Sequence, residues 1–200
     1  MKEEPSGINQ RIAAQVREQR TAQGLSLDAL AAKSGVSRSM ISLIERGESS
    51  PTAVVLEKLA AGLNLTLASL FDEPSAVSRV PVEPVARRAD QPLWKDPESG
   101  YRRRNITPSW VNQPMQIVEV EFPASGHVTF DAVTRELFVY QQIWVMEGVM
   151  EITVGDVRHR LQEKDCLAMQ LGQPTMFHNP TKKVARYIVV IARDTSGRKT

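Results

Sequence analysis

The sequence predicts an α+β protein of two units: five short helices over the first third, then an antiparallel β-barrel. Three observations predict this. Apolar residues recur at helical spacing from Ile8 to Phe71. From about Met115 the period drops to two, with Val, Ile, Phe and Tyr common. Glycines at Gly24, Gly35 and Gly47 break the first part into short pieces, and turn residues break the second part likewise.

The helices follow in order. Ile8, Ile12, Val16 and Arg20 form one stripe, which Gly24 ends. Ser26 caps a second helix with Leu27, Leu30 and Ala31 inward. Gly35 closes that helix, Ser37 caps the third and Gly47 stops it. Thr52, after Pro51, starts a fourth with Val55, Leu56, Leu59 and Ala60 inward. Leu67–Phe71 is a short fifth. The expected strands are Met115–Phe122, Arg135–Tyr140, Gln142–Met146, Met150–Val154, Arg158–Leu161, Cys166–Gln170, Thr175–Asn179 and Ala185–Ala192. Short strands at this spacing imply a sandwich or small barrel. Three segments result: a helical domain over 8–72, a linker with an arginine-rich stretch over 73–110, and a β-domain over 111–194.

Composition narrows the function classes. Charge nearly cancels, with 25 basic and 23 acidic residues, so any nucleic-acid binding must come from local placement of charge. One cysteine, Cys166, excludes internal disulfides and fits a reducing cytoplasm. The start, MKEEPSG, lacks the apolar core of a signal peptide. No apolar run reaches the roughly 18 residues of a membrane helix, so no membrane partner is expected.

The third helix raises a question of purpose. Met40, Ile41 and Ile44 make its apolar face. Arg38, Ser39, Ser42 and Leu43 gather on the other, where a leucine has no obvious partner. A major groove supplies one: base edges offer donors and acceptors, and the thymine methyl would cover the leucine. Arg38 then pairs with guanine, and Ser39 and Ser42 with several bases. Ser26 and Ser37 stand near helix N-termini, where free amides attract phosphate. Lys33, Arg46 and Ser49 are further phosphate candidates. Helix, glycine turn and helix within about 20 residues make a helix-turn-helix. With SLDALAAKSGVSRSMISLIERGESSPT at its centre, the region Ile8–Phe71 resembles the XRE family of phage-repressor-like regulators. The resemblance implies binding to double-stranded DNA, and a structural pair between Arg20 and Glu45.

The segment GVMEITVGDVRHRLQEKDCLAMQLGQPTMFHNP resembles the conserved core of the cupin family, small double-stranded β-helices. Metal-binding cupins carry two histidines and a glutamate in one motif and a histidine in another. Here the glutamate position holds Gln141, the preceding histidine position Arg135 or a neighbour, and the second-motif histidine position Thr175. Asn179 matches, and Lys164 replaces the usual turn glycine. Glutamine and threonine are poor ligands for a catalytic metal, so no metal, cofactor or catalytic residue is expected. His178 is out of phase with Thr175, and His127 is read as a loop residue. What remains is an apolar cavity with a few polar groups, the usual small-ligand site. Gln141, Ile143, Thr175 and Phe177 are its expected wall, with Arg135 at the rim. In GYRRRNITPSW, Tyr101 with Arg102 and Arg104, which share one side of an extended segment, are candidates to clamp an anion.

The expectation is therefore a cytoplasmic, non-enzymatic regulator with an effector-sensing barrel. It acts as a homodimer, because a helix-turn-helix usually reads two half-sites. The alternative, a metal-dependent cupin enzyme with a helical accessory domain, is disfavoured by the missing ligands.

Overall fold

A computed structural model of the chain describes residues 5–72, 84–110, 114–133 and 138–194. Four α-helices come first: α1 Pro5–Ala22, α2 Leu27–Ser34, α3 Arg38–Glu45 and α4 Ala53–Gly62. Serine and threonine caps start three of them. Ser26 accepts from the Ala29 amide at 3.0 Å, Ser37 from Met40 at 3.3 Å and Thr52 from Val55 at 3.4 Å. Gly35 sits at φ 69°, where a side chain would be strained, and its amide donates to Ala31 O. That residue makes the turn between α2 and α3. The expected fifth helix is instead a 3-10 turn, Ala68–Phe71, whose bonds span three residues, as in Leu70 N to Leu67 O. None of the described helices is long and apolar enough to cross a membrane.

Ile12, Val16, Leu30, Ile41, Ile44, Leu56 and Leu59 are all at most 1% exposed and form the helical core. Arg20 closes its edge as a fork. Nε and Nη2 donate to the two Glu45 oxygens at 2.6 and 2.9 Å, and Nη1 donates to Leu25 O at 2.7 Å.

Among the described residues ten strands follow: β1 Leu93–Lys95, β2 Arg102–Asn105, β3 Met115–Phe122, β4 His127–Phe130, β5 Val139–Glu147, β6 Met150–Val154, β7 Val157–Leu161, β8 Cys166–Gln170, β9 Thr175–His178 and β10 Ala185–Arg193. Among the described residues they form two sheets, in the orders β1-β2-β3-β10-β5-β8 and β4-β9-β6-β7, and no closed barrel. From β3 on, the chain crosses from one sheet to the other at every step except the β6–β7 hairpin, in jelly-roll fashion, the architecture of cupins. Phe177 of β9 stacks on Tyr187 of β10 at 6.2 Å, so the inner faces of the two sheets meet.

Two expectations need correction. Arg135–Tyr140 and Gln142–Met146 are not two strands: β5 runs unbroken from Val139 to Glu147, and residues 134–137 lie outside the described residues. His127 is not in a loop; it begins β4 opposite His178. The latter part of the 73–110 linker runs along the β-domain, where β1 and β2 extend the first sheet along β3. The alternation that hides Trp94, Tyr101, Arg103 and Asn105 produces this, since each contributes an inward side chain.

The same segment, with β3, fastens the two units together. Asp96, 2% exposed, accepts from the first amide of α4, Ala53, at 2.8 Å. Asn105 Nδ2 donates to Ala68 O at 3.0 Å, and Thr66 Oγ1 to Gln116 Oε1 at 2.7 Å. Phe71 lies 5.8 Å from Trp94, ring to ring.

Candidate nucleic-acid interface and ligand cavity

The residues of α3 divide as the apolar spacing demands. Ile41 and Ile44 are buried, Arg38, Ser39 and Arg46 are exposed, and Ser42 and Leu43 are half-buried. Leu43 is thus less bare than its position suggested. Arg38 Nε lies 3.3 Å from Asp28 Oδ1 of α2, both side chains well exposed. Arg46 donates to Ser42 Oγ at 2.6 Å and to Glu48 Oε2 at 2.8 Å. Glu48 thereby has its carboxyl held below the usual range by the Arg46 hydrogen bond. Ser37 and Ser39 hydroxyls are 3.2 Å apart. Ser26 and Lys33 are exposed on α2 and its cap, whereas Ser49 is half-buried with its hydroxyl on Met40 Sδ. The arrangement offers two guanidiniums, Arg38 and Arg46, and several hydroxyls on a convex helix face.

A cavity opens between the inner faces of the sheets and the helical unit. Tyr101, Gln141, Thr175 and Phe177 line it, as expected. Four other candidates do not. Ile143 is fully buried in the core. Arg102 and Arg104 do not line it and instead meet Glu121 at 3.2 Å and Glu119 at 3.5 Å. Arg135 lies outside the described residues. The residue of the arginine run that enters the cavity is Arg103, only 7% exposed. A period of two put Arg102 and Arg104 together on one side; that same period pairs Arg103 with Tyr101, whose aromatic ring marks the inner face. That signal was available in the sequence.

Glu57 was also missed. It belongs to α4 yet is 8% exposed and lines the cavity beside Leu67. Its place among Ala53, Ala60 and Ala61, a stripe of small buried residues, is the sequence signal: a charge where an apolar residue is due. Asp131 stands at the rim, 2.8 Å from Lys58 of α4. Burial lowers the Arg103 pKa, against the opposing pull of Tyr101, Glu57 and Tyr187. Burial likewise pushes the phenols of Tyr101 and Tyr187 up, which keeps both neutral. His178 faces away from the cavity, with Nδ1 3.2 Å from Glu151 Oε2. Among the described residues no group of three His, Cys, Asp or Glu is placed to hold a metal.

Comparison with known proteins fits this division. The HTH_3 helix-turn-helix family profile matches residues 16–70. The chain is 44% identical over 64 residues to the HTH-type transcriptional regulator SutR of Escherichia coli (strain K12), spanning 32% of this chain and 34% of that protein. It is 38% identical over 63 residues to the HTH-type transcriptional regulator SinR of Bacillus subtilis (strain 168), 31% of this chain and 57% of SinR. Both matches span less than two thirds of the relative. A crystal structure of an HTH_3 family transcriptional regulator from Vibrio cholerae superposes with a TM-score of 0.73 at 25% identity, covering 94% of this chain and 98% of that one. The helical unit of this chain, α1 to the 3-10 turn, is a helix-turn-helix domain of the HTH_3, XRE-type family, joined here to a jelly roll.

Proposed function

We propose that the chain is a one-component transcription regulator: residues 8–72 read double-stranded DNA, and the β-domain over 111–194, with β1 and β2 added, senses a small metabolite. The observation that carries the first half is the outer face of α3, where Arg38, Ser39, Ser42, Leu43 and Arg46 share one side. Its exposed guanidinium fits guanine in the major groove, and Lys33, Ser26 and Ser37 fit phosphates. The cavity that Tyr101, Arg103, Gln141, Thr175 and Phe177 line supports the second half.

Two half-sites need two reading heads, so the proposal includes a homodimer. The outer side of the six-stranded sheet supports it, for Met115, Ile117, Tyr140 and Trp144 are all exposed there. Such an apolar patch, beside the charged end of the same face where Glu121, Arg186 and Glu147 pair, is suited to a second copy. Light scattering checks this part, and a monomer at micromolar concentration would remove it.

The enzyme reading is not adopted, because Gln141 and Thr175 stand where metal-binding cupins hold a carboxylate and an imidazole. The test of the DNA reading is selection from a random duplex pool. The expected result is enrichment of one motif, repeated with inverted symmetry. Recovery of unselected sequence in proportion to salt alone would reject sequence-specific reading.

A further inference from the structure

Both arginines of the α3 reading face are met by a carboxylate from elsewhere in the head. Arg38 Nε lies 3.3 Å from Oδ1 of Asp28, in the first turn of α2. Arg46 Nη2 donates to Oε2 of Glu48, just past the end of α3, at 2.8 Å. All four side chains are more than half exposed. Ion pairs so exposed add little to stability, so the fold itself does not call for them. What they do change is the charge that the face presents. The whole head is balanced in the same way: residues 5–72 hold seven basic and six acidic side chains.

That balance bears on how DNA is chosen. A duplex of any sequence attracts a protein according to the phosphates its cations neutralise, because each one releases a counterion. An arginine already met by a carboxylate brings no net charge to a phosphate. It trades one oxyanion for another and leaves a carboxylate beside the DNA backbone. A base edge is a different exchange. Guanine O6 and N7 accept two directed hydrogen bonds from a guanidinium, and that gain exists only at the right base. Arg46 is also held at a second point, since Nη1 donates to Ser42 Oγ at 2.6 Å. A long side chain free to swing would find phosphates on any duplex; one held along α3 meets only what docks against that helix.

We propose that Asp28 and Glu48 are specificity-determining residues of the reading face: by occupying the guanidiniums of Arg38 and Arg46, they weaken binding to duplexes of the wrong sequence more than binding to the right one. This deepens the DNA reading above and rests on it. The two carboxylates touch no base; each acts through its arginine. Discrimination then comes partly from a penalty on the wrong partner, and not only from contacts to the right one.

The test uses the full chain and fluorescence anisotropy on the selected duplex and a scrambled duplex, over a range of salt concentrations. Glu48→Gln and Asp28→Asn keep the side-chain size and remove the charge. Each should bind the scrambled duplex about three- to tenfold tighter near 0.1 M salt, with a salt slope steeper by about 1, and the double variant should steepen it by about 2. The selected duplex should gain less, because there the freed arginine is committed to a base and not to a phosphate. The ratio of the two affinities should therefore fall by about threefold or more per substitution. Asp156→Asn, on the exposed turn between β6 and β7, removes the same charge from the jelly roll and should change neither slope nor ratio. A gain in affinity cannot come from loss of folded protein, so a damaged fold does not mimic the expected result. Either carboxylate variant overturns the inference if its scrambled-duplex affinity and slope match wild type, or if both duplexes gain by the same factor. A wild-type chain that favours no duplex overturns the DNA reading itself; one that selects a motif while the variants match it overturns this inference alone.

Discussion

Replacing Asp96 by alanine should loosen the reading head from the jelly roll. The Asp96 carboxylate is 2% exposed and holds three groups: the Ala53 amide at 2.8 Å, the Ser99 amide at 2.7 Å and the Ser99 hydroxyl. A hydrogen bond to a charged group contributes about 1.5–3 kcal/mol, so the two amides together suggest about 3–6 kcal/mol. Ser99 is half-buried, and water reaching its amide brings the expected loss to about 3–4 kcal/mol. The Ala53 amide, 1% exposed, has no such rescue. A domain of this length shifts by about 2–4 °C per kcal/mol, which predicts a fall of roughly 6–16 °C. Circular dichroism melts measure it, with Asp90→Ala, at an exposed site, as the control. Asp96→Asn keeps an acceptor for Ala53 and should lose less than Asp96→Ala. If Asp96→Ala melts with the control, the loop does not cap α4 in solution, and the coupling between the two units loses its anchor.

Two further predictions concern buried charge. Glu45→Ala leaves Arg20, 14% exposed, without its fork and should destabilise by about 3 kcal/mol; a melt equal to that of Glu48→Ala, a surface site, would refute the link. Asp72 accepts from Gln116 Nε2 at 3.2 Å at the junction of the units; burial pushes its carboxyl up to about 7, against Arg193, Gln116, Arg11 and Arg103. Its folded pKa lies above the unfolded value of about 4, so its contribution is complete below pH 4 and is lost as pH rises through about 7. The stability gained by Asp72→Asn over wild type should therefore grow from pH 5 to pH 8, to a few kcal/mol; a difference that does not vary with pH across that range would show an Asp72 that ionises normally.

Helix spacing and caps made the helical unit readable in the sequence, because Ser26, Ser37 and Thr52 act on amides only three residues away. Leu67–Phe71 was over-read, since an apolar cluster does not say whether its bonds span three residues or four. The β-domain was readable as alternation, but β1 and β2 were not: three and four residues long, they depend on pairing with β3, which spacing alone does not reveal. The cavity was half legible. Gln141 and Thr175 follow from strand phase, whereas Ile143, on the same phase, is covered by the core. The phase of the arginine run is fixed by Tyr101, and only the fold brings Glu57 across from α4 to meet Arg103.

The central claim is that α3 reads bases, and one pair of substitutions tests it most directly. Binding is measured by fluorescence anisotropy on the selected duplex and on a scrambled duplex, across salt concentrations. Wild-type Arg38 leaves its 3.3 Å contact with Asp28 to reach a base, and Arg38→Ala should lose about 1–3 kcal/mol on the selected duplex and little on the scrambled one, with relaxed choice at one base pair. Lys33→Ala should lose similarly on both, with a salt slope shallower by about 1. Equal losses on both duplexes for Arg38→Ala would contradict the claim and make α3 a phosphate-binding helix.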